Sequence, residues 1–191
     1  FKNKYNNWEC IGVELSKWAS EYARNHLKIN TRTGTLENNI KDLPSDFDTV
    51  VAWDVLEHLN DPSAFLIQIN SVMKLNGIFC FSTLDIDNWF PKLMGKHWPW
   101  LMEMHLFYYK TDTTDQLLNK AGFNILRTEK YIHYVSIHYL VGKIIAILPG
   151  WLEKPLNIAK SVMPQKIMIP ISFGDIKLYI CEKKKSIGKM G

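Results

Sequence analysis

The chain alternates short apolar runs with segments whose apolar residues recur at helical spacing. Because a continuous apolar run suits a strand that is buried on both faces, this alternation predicts strands and helices in turn. We expect an α/β fold of the Rossmann-like type: a mostly parallel sheet with helices on both faces, whose ligand binds beyond the carboxyl ends of the strands. The predicted strands are residues 8–15, 47–55, 78–83 and 124–131.

Local end signals place the predicted helices between these strands. Ser16 is a typical helix N-cap, and Asp61–Pro62 is a cap followed by a proline in the first turn. The helix that starts at Pro62 should run to about Lys74 and end before Asn76–Gly77, and a third helix spans residues 111–121. The first helix has one apolar face, formed by Trp18, Ala19, Tyr22, Ala23 and Leu27.

The last two predicted strands, residues 166–171 and 175–181, are separated by only three residues, so we expect an antiparallel hairpin that completes the sheet. With 191 residues, of which 47% are hydrophobic, the chain can bury one sizeable core. We therefore predict a single domain over residues 1–191. Residues 87–110 and 132–165 are longer than simple connections and are predicted lid or substrate-binding insertions.

Cysteine usage and charge indicate the compartment and the kind of partner. Cys10, Cys80 and Cys181 lie far apart, which suits free thiols in a reducing compartment, so we predict a cytoplasmic protein. The formal net charge is only +4, which gives no reason to expect nucleic-acid binding. Much of it lies in a lysine-rich end that we expect to be solvated: Lys183, Lys184, Lys185 and Lys189.

Glu14 ends the first predicted strand. In dinucleotide-binding folds, an acidic residue at this place accepts hydrogen bonds from the ribose hydroxyls. An exposed glutamate that only lies beside the start of a helix, with no ligand role, would give the same local sequence. The ribose-binding role of Glu14 therefore needs support from other segments.

Several segments, taken in order, resemble those of class I S-adenosylmethionine-dependent methyltransferases. Residues 47–62, FDTVVAWDVLEHLNDP, closely resemble the fourth-strand signature of the small-molecule enzymes of that family, including the ubiquinone-biosynthesis O-methyltransferases. Residues 12–16, GVELS, resemble the second strand, and residues 75–82, LNGIFCFS, the fifth. The segments HLFYYKT and LLNKAGF, at 105–111 and 117–123, are similar to a later part that ends in an AGF turn.

This resemblance implies S-adenosylmethionine as the cofactor and a small molecule as the methyl acceptor. It assigns the ribose hydroxyls to Glu14 and the adenine to Leu15. It places Trp53 and Asp54 beside the methionine part of the cofactor. Three further residues would line the adenine end: Thr35, Leu36 and Glu37. Only the role of Glu14 also follows from the chemistry of the residue.

The family's glycine loop and its central first strand would precede residue 1. Because the chain starts with Phe1 in a polar segment that runs directly into a strand, we expect a protein that is cut at its amino end. Without the central strand, the strands at 8–15 and 49–55 would each have an unpaired inner edge, at a cost of roughly 1–3 kcal/mol per buried unsatisfied group. We expect these 191 residues alone to fold poorly and to bind the cofactor weakly.

His58 and His105 are the candidate catalytic bases. Methyl transfer from a sulfonium needs mainly alignment and exclusion of water, and a base is needed only for a protic acceptor. The resemblance places both imidazoles near the acceptor. Alternatively, Asp54, Glu57 and His58 could hold Mg²⁺ together with His105. Relatives that use such a metal have glutamate at the first of these positions, and the shorter Asp54 weighs against it, so we assign no metal ligands.

The two predicted insertions concern the acceptor. Residues 87–110 contain seven aromatic side chains, which could stack on a ring or a sugar, or simply cover the sheet edge. Residues 137–148 have an amphipathic helical stripe that is too polar to span a membrane. Besides core or lid packing, this helix could lie on a membrane surface, which would suit a lipid-linked acceptor. The stripe consists of Ile137, Leu140, Val141, Ile144, Ile145 and Leu148.

We therefore expect a methyltransferase that O-methylates a quinone-precursor-like, glycan or lipid-linked small molecule. An NAD-dependent reductase is an alternative, since Glu14 would serve NAD equally well and Tyr139 and Lys143 have the Tyr-x-x-x-Lys spacing. That alternative lacks a suitably placed upstream serine. A non-catalytic binding module with a degenerate methyltransferase fold is the other alternative, because the glycine loop is not among these residues.

Overall fold

The computed structural model describes residues 8–145, 150–161, 164 and 167–185. The strands are β1 (Ile11–Glu14), β2 (Asn30–Thr33), β3 (Phe47–Ala52), β4 (Met73–Leu84), β5 (Phe123–Lys130), β6 (His133–Ser136), β7 (Met168–Ile171) and β8 (Ile176–Lys183). The helices are α1 (Lys17–Asn25), α2 (Leu36–Asn39), α3 (Pro62–Val72), α4 (Trp89–Met94), α5 (Thr111–Lys120), α6 (Ile137–Ile145) and α7 (Gly150–Ser161). Short 3₁₀ turns occupy Ile40–Asp42, Leu56–His58 and Gly95–His97.

The strands form three sheets within the described ranges. The largest has the order β3–β4–β8–β5, in which β3 and β4 are parallel and β8 runs antiparallel to both of its neighbours. β1 and β2 form a parallel pair, and β6 and β7 an antiparallel pair. With helices between the strands, this architecture confirms the predicted Rossmann-like α/β fold and its antiparallel C-terminal strands.

The two last strands pair with earlier strands and not with each other. β7 pairs with β6, whereas β8 lies between β4 and β5. β8 suits a central position because its apolar residues Ile176, Tyr179 and Cys181 are buried. The short connection between β7 and β8 therefore leads from a two-stranded surface ribbon into the main sheet.

β1 and β3 each have one open edge. β1 pairs with β2 and β3 with β4, and no other described residue pairs with either strand. Val51 of β3 accordingly has 47% of its surface exposed, although its sequence suits a buried strand. The backbone groups on these two edges have no strand partner in the described part of the chain.

The helix starts agree with the caps that the sequence predicts. The amide of Ala19 donates to the Ser16 hydroxyl at 3.3 Å, and the amide of Ala64 donates to Asp61 Oδ1 at 2.9 Å. The predicted end at Lys74 is wrong by two residues, because α3 ends at Val72 and the chain is already extended at Met73. Asn76 and Gly77 do not form a separate turn but lie within β4, where Asn76 has a φ of +62°.

The main core lies between the four-stranded sheet and helices α3 and α5. Phe79, Phe81 and Tyr179 of the sheet are fully buried, as are Leu66 of α3 and Leu118 of α5. Burying a side chain of this size stabilises the folded state by about 1.5–3 kcal/mol. A second cluster of Leu84, Trp98 and Ile176 holds residues 87–110 against the end of the sheet.

The apolar face predicted for α1 is exposed, which corrects the expectation of a packed helix. Trp18 and Tyr22 have 74% and 45% of their surfaces exposed, and the one buried residue of α1 is Ser20. A polar set faces the sheet instead: the Ser20 and Thr33 hydroxyls are 2.7 Å apart, and Arg24 donates to the Thr31 carbonyl at 2.6 Å. This polar packing follows from β2, whose sequence is Asn-Thr-Arg-Thr.

Lys183 is buried, so the expectation of a solvated lysine end is wrong at this position. Its side chain is 4% exposed, and its ammonium donates to the carbonyls of Asn70 (2.7 Å) and Met73 (2.8 Å) at the end of α3. Burial lowers the pKa of Lys183. Lys184 and Lys185 are exposed as expected, and Lys189 lies outside the described residues.

The second predicted insertion, residues 132–165, contains β6, α6 and α7. Within its apolar stripe Ile145 is buried, Ile137 and Val141 are half-buried, and Leu148 lies outside the described residues. Among residues 8–145, 150–161, 164 and 167–185, no helix combines the length and the apolar character that crossing a bilayer requires.

Candidate cofactor and acceptor site

The predicted cofactor residues follow the carboxyl ends of parallel strands. Glu14 is the last residue of β1, and Trp53 and Asp54 come directly after β3. In an open α/β sheet, these ends form the edge where ligands bind. Glu14 belongs to the β1–β2 pair and Trp53 and Asp54 to the end of β3 in the four-stranded sheet, and Trp53 is 43% exposed.

Glu14 is tied to the start of α1. Its Oε1 accepts a hydrogen bond from the Ser16 amide at 2.8 Å, while its own carbonyl accepts one from Gly34 at 2.9 Å. This bond fixes one carboxylate oxygen and leaves Oε2 for a ribose hydroxyl. Leu15 beside it is 73% exposed, as a residue that packs on an adenine would be before the ligand binds.

The other predicted adenine-end residues form the start of α2. Thr35 is its N-cap, since the Thr35 hydroxyl accepts from the Asn38 amide at 3.2 Å. Leu36 packs against the main core, and Glu37 is exposed. Thr35 and Leu36 thus have clear structural roles, and their contact with a cofactor stays a prediction.

Asp54 is held in an unusual backbone conformation by Ser82 of β4. Its φ is +50°, a left-handed conformation that aspartate tolerates better than most residues. The Asp54 amide donates to Ser82 Oγ at 2.9 Å, and the Ser82 hydroxyl donates back to Asp54 Oδ1 at 2.6 Å. Ser82 is fully buried. This pair fixes the chain just after β3, where the cofactor's methionine part is expected.

The structure brings His58 and His105 together, although 46 residues separate them in the sequence. Their ring centroids are 4.7 Å apart. His58 Nδ1 lies 2.9 Å from the Met104 carbonyl, and His105 Nδ1 lies 2.7 Å from the Trp100 carbonyl. Because a carbonyl can only accept, each Nδ1 carries a proton, and in a neutral imidazole each Nε2 then has a free lone pair. Both rings are thus set up to accept a proton.

Glu57 lies buried beneath this histidine pair. It is 1% exposed, and its Oε2 accepts a hydrogen bond from Thr83 at 3.0 Å. Burial raises the pKa of Glu57, and the negative charge of Asp54 raises it further against the opposing effects of nearby hydrogen bonds and of His58. The Glu57 carbonyl accepts from the amides of Leu106 and Phe107, so this residue also fixes the segment that carries His105.

Three of the four suggested metal donors come together. Glu57, His58 and His105 each offer a ligand atom within 4.8 Å of the others, whereas the Asp54 carboxylate is bonded to Ser82. Mg²⁺ prefers oxygen ligands, and a set of two imidazoles and one carboxylate suits borderline metals such as Zn²⁺ better. The residues present therefore do not fit Mg²⁺, and no catalytic step is assigned to it.

Residues 87–110 are anchored by buried polar contacts that the sequence did not reveal. The Trp98 indole donates to Asp175 Oδ2 at 2.8 Å, and both residues are buried. Of the seven aromatic residues, Trp98 and Tyr109 are buried, whereas Trp89 is 58% and Phe107 39% exposed. The insertion thus covers the sheet edge with some aromatics and leaves others free to contact a ligand.

Sequence reasoning missed Ser82 and Thr83 as site residues. Both follow a run of apolar residues at the carboxyl end of β4, and a polar pair at the end of a buried strand is the signal that could have indicated them. The Tyr139 and Lys143 pair of the reductase alternative gains no support, because the placement of these side chains is not described.

The sequence of this chain is similar to those of known methyltransferases. The family described as "Methyltransferase domain" matches residues 2–128. The ubiquinone biosynthesis O-methyltransferase of Proteus mirabilis is 29% identical over 94 residues, which are 46% of this chain and 38% of that protein. The protein of the same name from Rickettsia typhi is 27% identical over 144 residues, 64% of this chain and 57% of that protein. The chain thus spans about half the length, or less, of these curated relatives.

Solved structures show the same fold. A SAM-dependent methyltransferase from Thermotoga maritima has a TM-score of 0.58 at 20% identity, covering 92% of this chain and 73% of its own. One from Archaeoglobus fulgidus has a TM-score of 0.55 at 16% identity, covering 91% and 75%. These likenesses support the fold, and the family match covers more than half of the chain. The chain therefore belongs to the methyltransferase domain family.

Proposed function

We propose that the protein is an S-adenosylmethionine-dependent methyltransferase that methylates an oxygen of a small molecule. The observation that carries this proposal is the histidine pair beside the end of β3, in which each Nδ1 lies within hydrogen-bond distance of a backbone carbonyl, so that each Nε2 of the neutral rings carries a lone pair. Membership of the methyltransferase domain family supports the cofactor, and the Glu14 carboxylate at the end of β1 offers a partner for its ribose.

Methyl transfer would need one proton acceptor. S-adenosylmethionine, held by Glu14 and the residues after β3, would supply its electrophilic methyl group to the hydroxyl oxygen of the acceptor and would leave as S-adenosylhomocysteine. The hydroxyl proton passes to Nε2 of His105 or His58. His105 is buried apart from 9% of its surface, so water is largely excluded there, while the more exposed His58 can return the proton to solvent.

The acceptor that we propose is a quinone-precursor-like, glycan or lipid-linked molecule. The curated relatives are named for ubiquinone biosynthesis, which favours a phenolic hydroxyl. Partly exposed aromatic rings near the site, such as Phe107, could stack on such a ring. We also infer a reducing compartment such as the cytoplasm, since all three cysteines are free and burial raises the pKa of Cys181 to about 12.

The test is isothermal titration of S-adenosylmethionine, and separately of NADH, into the protein expressed from its natural start codon. We expect saturable binding of S-adenosylmethionine only, weakened about tenfold or more in Glu14→Ala, where the ribose loses its acceptor. Glu21→Ala serves as a control, because this exposed glutamate of α1 is not among the residues predicted to bind the cofactor. Absence of binding of either cofactor would favour the non-catalytic module, and binding of NADH the reductase.

A second assay concerns the histidines. With radiolabelled cofactor and a catechol as the probe acceptor, His105→Ala should lower kcat by about 10²–10⁴-fold while leaving the cofactor affinity unchanged. If both His58→Ala and His105→Ala retain full kcat for an acceptor that the protein methylates, the pair is not the base.

A further inference from the structure

The two carbonyls that hold the histidine pair belong to one loop. This loop, residues 100–108, precedes α5 and contains no helix or strand. The Trp100 carbonyl accepts from His105 Nδ1 at 2.7 Å, and the Met104 carbonyl accepts from His58 Nδ1 at 2.9 Å. The hydrogen bond made by one ring nitrogen decides which nitrogen carries the proton. The conformation of the loop therefore decides whether each Nε2 has a lone pair.

The hydroxyl of Tyr108 closes this loop on itself. It accepts a hydrogen bond from the Met102 amide at 3.0 Å, and its oxygen lies 3.1 Å from the Met102 carbonyl and 3.3 Å from the Trp100 carbonyl. Because a phenol has one proton to donate and lone pairs to accept with, a single hydroxyl can bind both residues. The half-buried Tyr108 ring also packs edge-on against the His105 ring, with centroids 6.0 Å apart.

The Trp100 carbonyl is the point where Tyr108 and His105 meet. A carbonyl oxygen has two lone pairs, so it can accept from the His105 imidazole and from the Tyr108 hydroxyl together. The Met102 carbonyl, the other acceptor of the hydroxyl, also accepts from the His105 amide at 3.1 Å. Both carbonyl contacts of the hydroxyl thus lead to His105, one to its ring and one to its backbone.

The second half of the loop is attached to the turn Leu56–His58. The amides of Leu106 and Phe107 donate to the Glu57 carbonyl at 2.8 and 3.2 Å. The first half supplies both of the carbonyls that hold the imidazoles, and the Tyr108 hydroxyl joins it to the second half. Loss of this hydroxyl would therefore release the half of the loop that sets the two rings.

We propose that Tyr108 is a positioning residue of the methyl-transfer site. Its hydroxyl holds the loop in the conformation in which both carbonyls face the imidazoles, and each Nε2 is thereby kept ready to accept the proton of the methyl acceptor. Tyr108 acts through the Trp100 and Met102 carbonyls, so no proton of the reaction passes through it. Its role in catalysis rests on the proposed function, whereas its effect on the two imidazoles does not.

The effect on the imidazoles is tested by ¹⁵N NMR of the histidine rings, with the protein expressed from its natural start codon. At about pH 8, where an ordinary imidazole is neutral, the wild type should show His58 and His105 with the proton on Nδ1. Tyr108→Phe keeps the aromatic ring and removes the hydroxyl. In this variant His105 should shift toward the mixture of tautomers of a solvated imidazole. His58→Gln and His105→Gln identify the signals.

Kinetics with a catechol as the probe acceptor test the consequence for methyl transfer. In Tyr108→Phe, kcat should fall roughly tenfold, because the proton acceptor is no longer held in the required tautomer. The KM for S-adenosylmethionine should stay within about twofold of the wild-type value, since the cofactor residues are unchanged. The matched control Tyr134→Phe removes a hydroxyl from a ring of β6 that is 66% exposed, and it should keep the wild-type tautomers and kcat.

The proposal is overturned if Tyr108→Phe keeps the wild-type tautomers, or if its kcat equals that of Tyr134→Phe with an acceptor that the wild type methylates. Loss of cooperative unfolding in Tyr108→Phe, followed by circular dichroism, would also overturn it, because the hydroxyl would then hold the fold as a whole. Changed tautomers in a protein that methylates no acceptor would count against the proposed function and would still support the positioning of the imidazoles by Tyr108.

Discussion

Replacing Lys183 with methionine should destabilise the fold, although the change removes a charge from a lysine-rich end. The Lys183 ammonium donates to the Asn70 and Met73 carbonyls at 2.7 and 2.8 Å, at the C-terminal end of α3. Methionine has a similar length and fills the same space, but it donates no hydrogen bond. The variant therefore removes one donor from each of the two carbonyls, and the Asn70 carbonyl keeps its hydrogen bond from the Met73 amide.

The size of the effect follows from two opposing contributions. Hydrogen bonds from a charged donor contribute about 1.5–3 kcal/mol each, so two of them represent about 3–6 kcal/mol. Removing the buried ammonium also removes its desolvation cost, which offsets part of this loss. We expect the free energy of unfolding to fall by about 2–3 kcal/mol, which lowers the urea midpoint by about 1 M for a typical denaturant slope.

Urea denaturation followed by circular dichroism measures this difference. The neighbouring variant Lys184→Met is the control, because Lys184 is exposed and pairs with Glu182 at the surface. Its effect should stay within about 1 kcal/mol. If Lys183→Met is as stable as Lys184→Met, the buried ammonium does not hold the end of α3, and the reasoning above fails.

Three further predictions concern the site and its anchors. Burial raises the folded-state pKa of Glu57, so the stability that its protonation contributes is present below pH 4.5 and is lost as the pH rises through the folded pKa. In a pH series, the urea midpoint of Glu57→Gln should therefore exceed that of the wild type by a margin that grows as the pH rises. A difference that stays constant with pH would contradict this. Ser82→Ala removes both hydrogen bonds to Asp54, so titration should show S-adenosylmethionine binding about tenfold more weakly. An unchanged affinity would mean that the position of Asp54 does not matter for cofactor binding. Trp98→Phe leaves the buried Asp175 without its indole donor, so the free energy of unfolding measured by urea denaturation should fall by about 1–3 kcal/mol. This decrease should exceed the one that the smaller ring alone would cause.

Much of the fold could be predicted from local sequence. The caps at Ser16 and Asp61 act within three residues, and both helices start there. The apolar runs at β3 and β4 became strands because their pattern fits a buried sheet. The local signal fails where it depends on a partner, as at β7, which was expected to pair with β8 and instead pairs with β6. The sequence pattern of β7 fits either pairing, so the choice between β6 and β8 depends on how the competing strands pack in the folded chain.

The candidate site was predicted as single residues and not as an arrangement. Chemistry and resemblance indicated His58 and His105 separately, but their 4.7 Å approach depends on the fold of the segment after α4. From the sequence Glu57 was a possible metal donor, and the structure shows it buried beneath the two rings, where burial raises its pKa. The suggested contribution of Asp54 to a metal set was not observed, since Ser82 occupies its carboxylate.

By itself the sequence determined the fold class, the family and the strands of the main sheet, because periodicity, caps and motifs are properties of neighbouring residues; it did not indicate β2 or β6. The tertiary structure alone decided which strands pair, that the apolar face of α1 is exposed, and that Lys183 is buried. The Lys183 ammonium bonds to a carbonyl 113 residues earlier in the chain. Such contacts depend on the packing of distant segments, and no local pattern in the sequence specifies them.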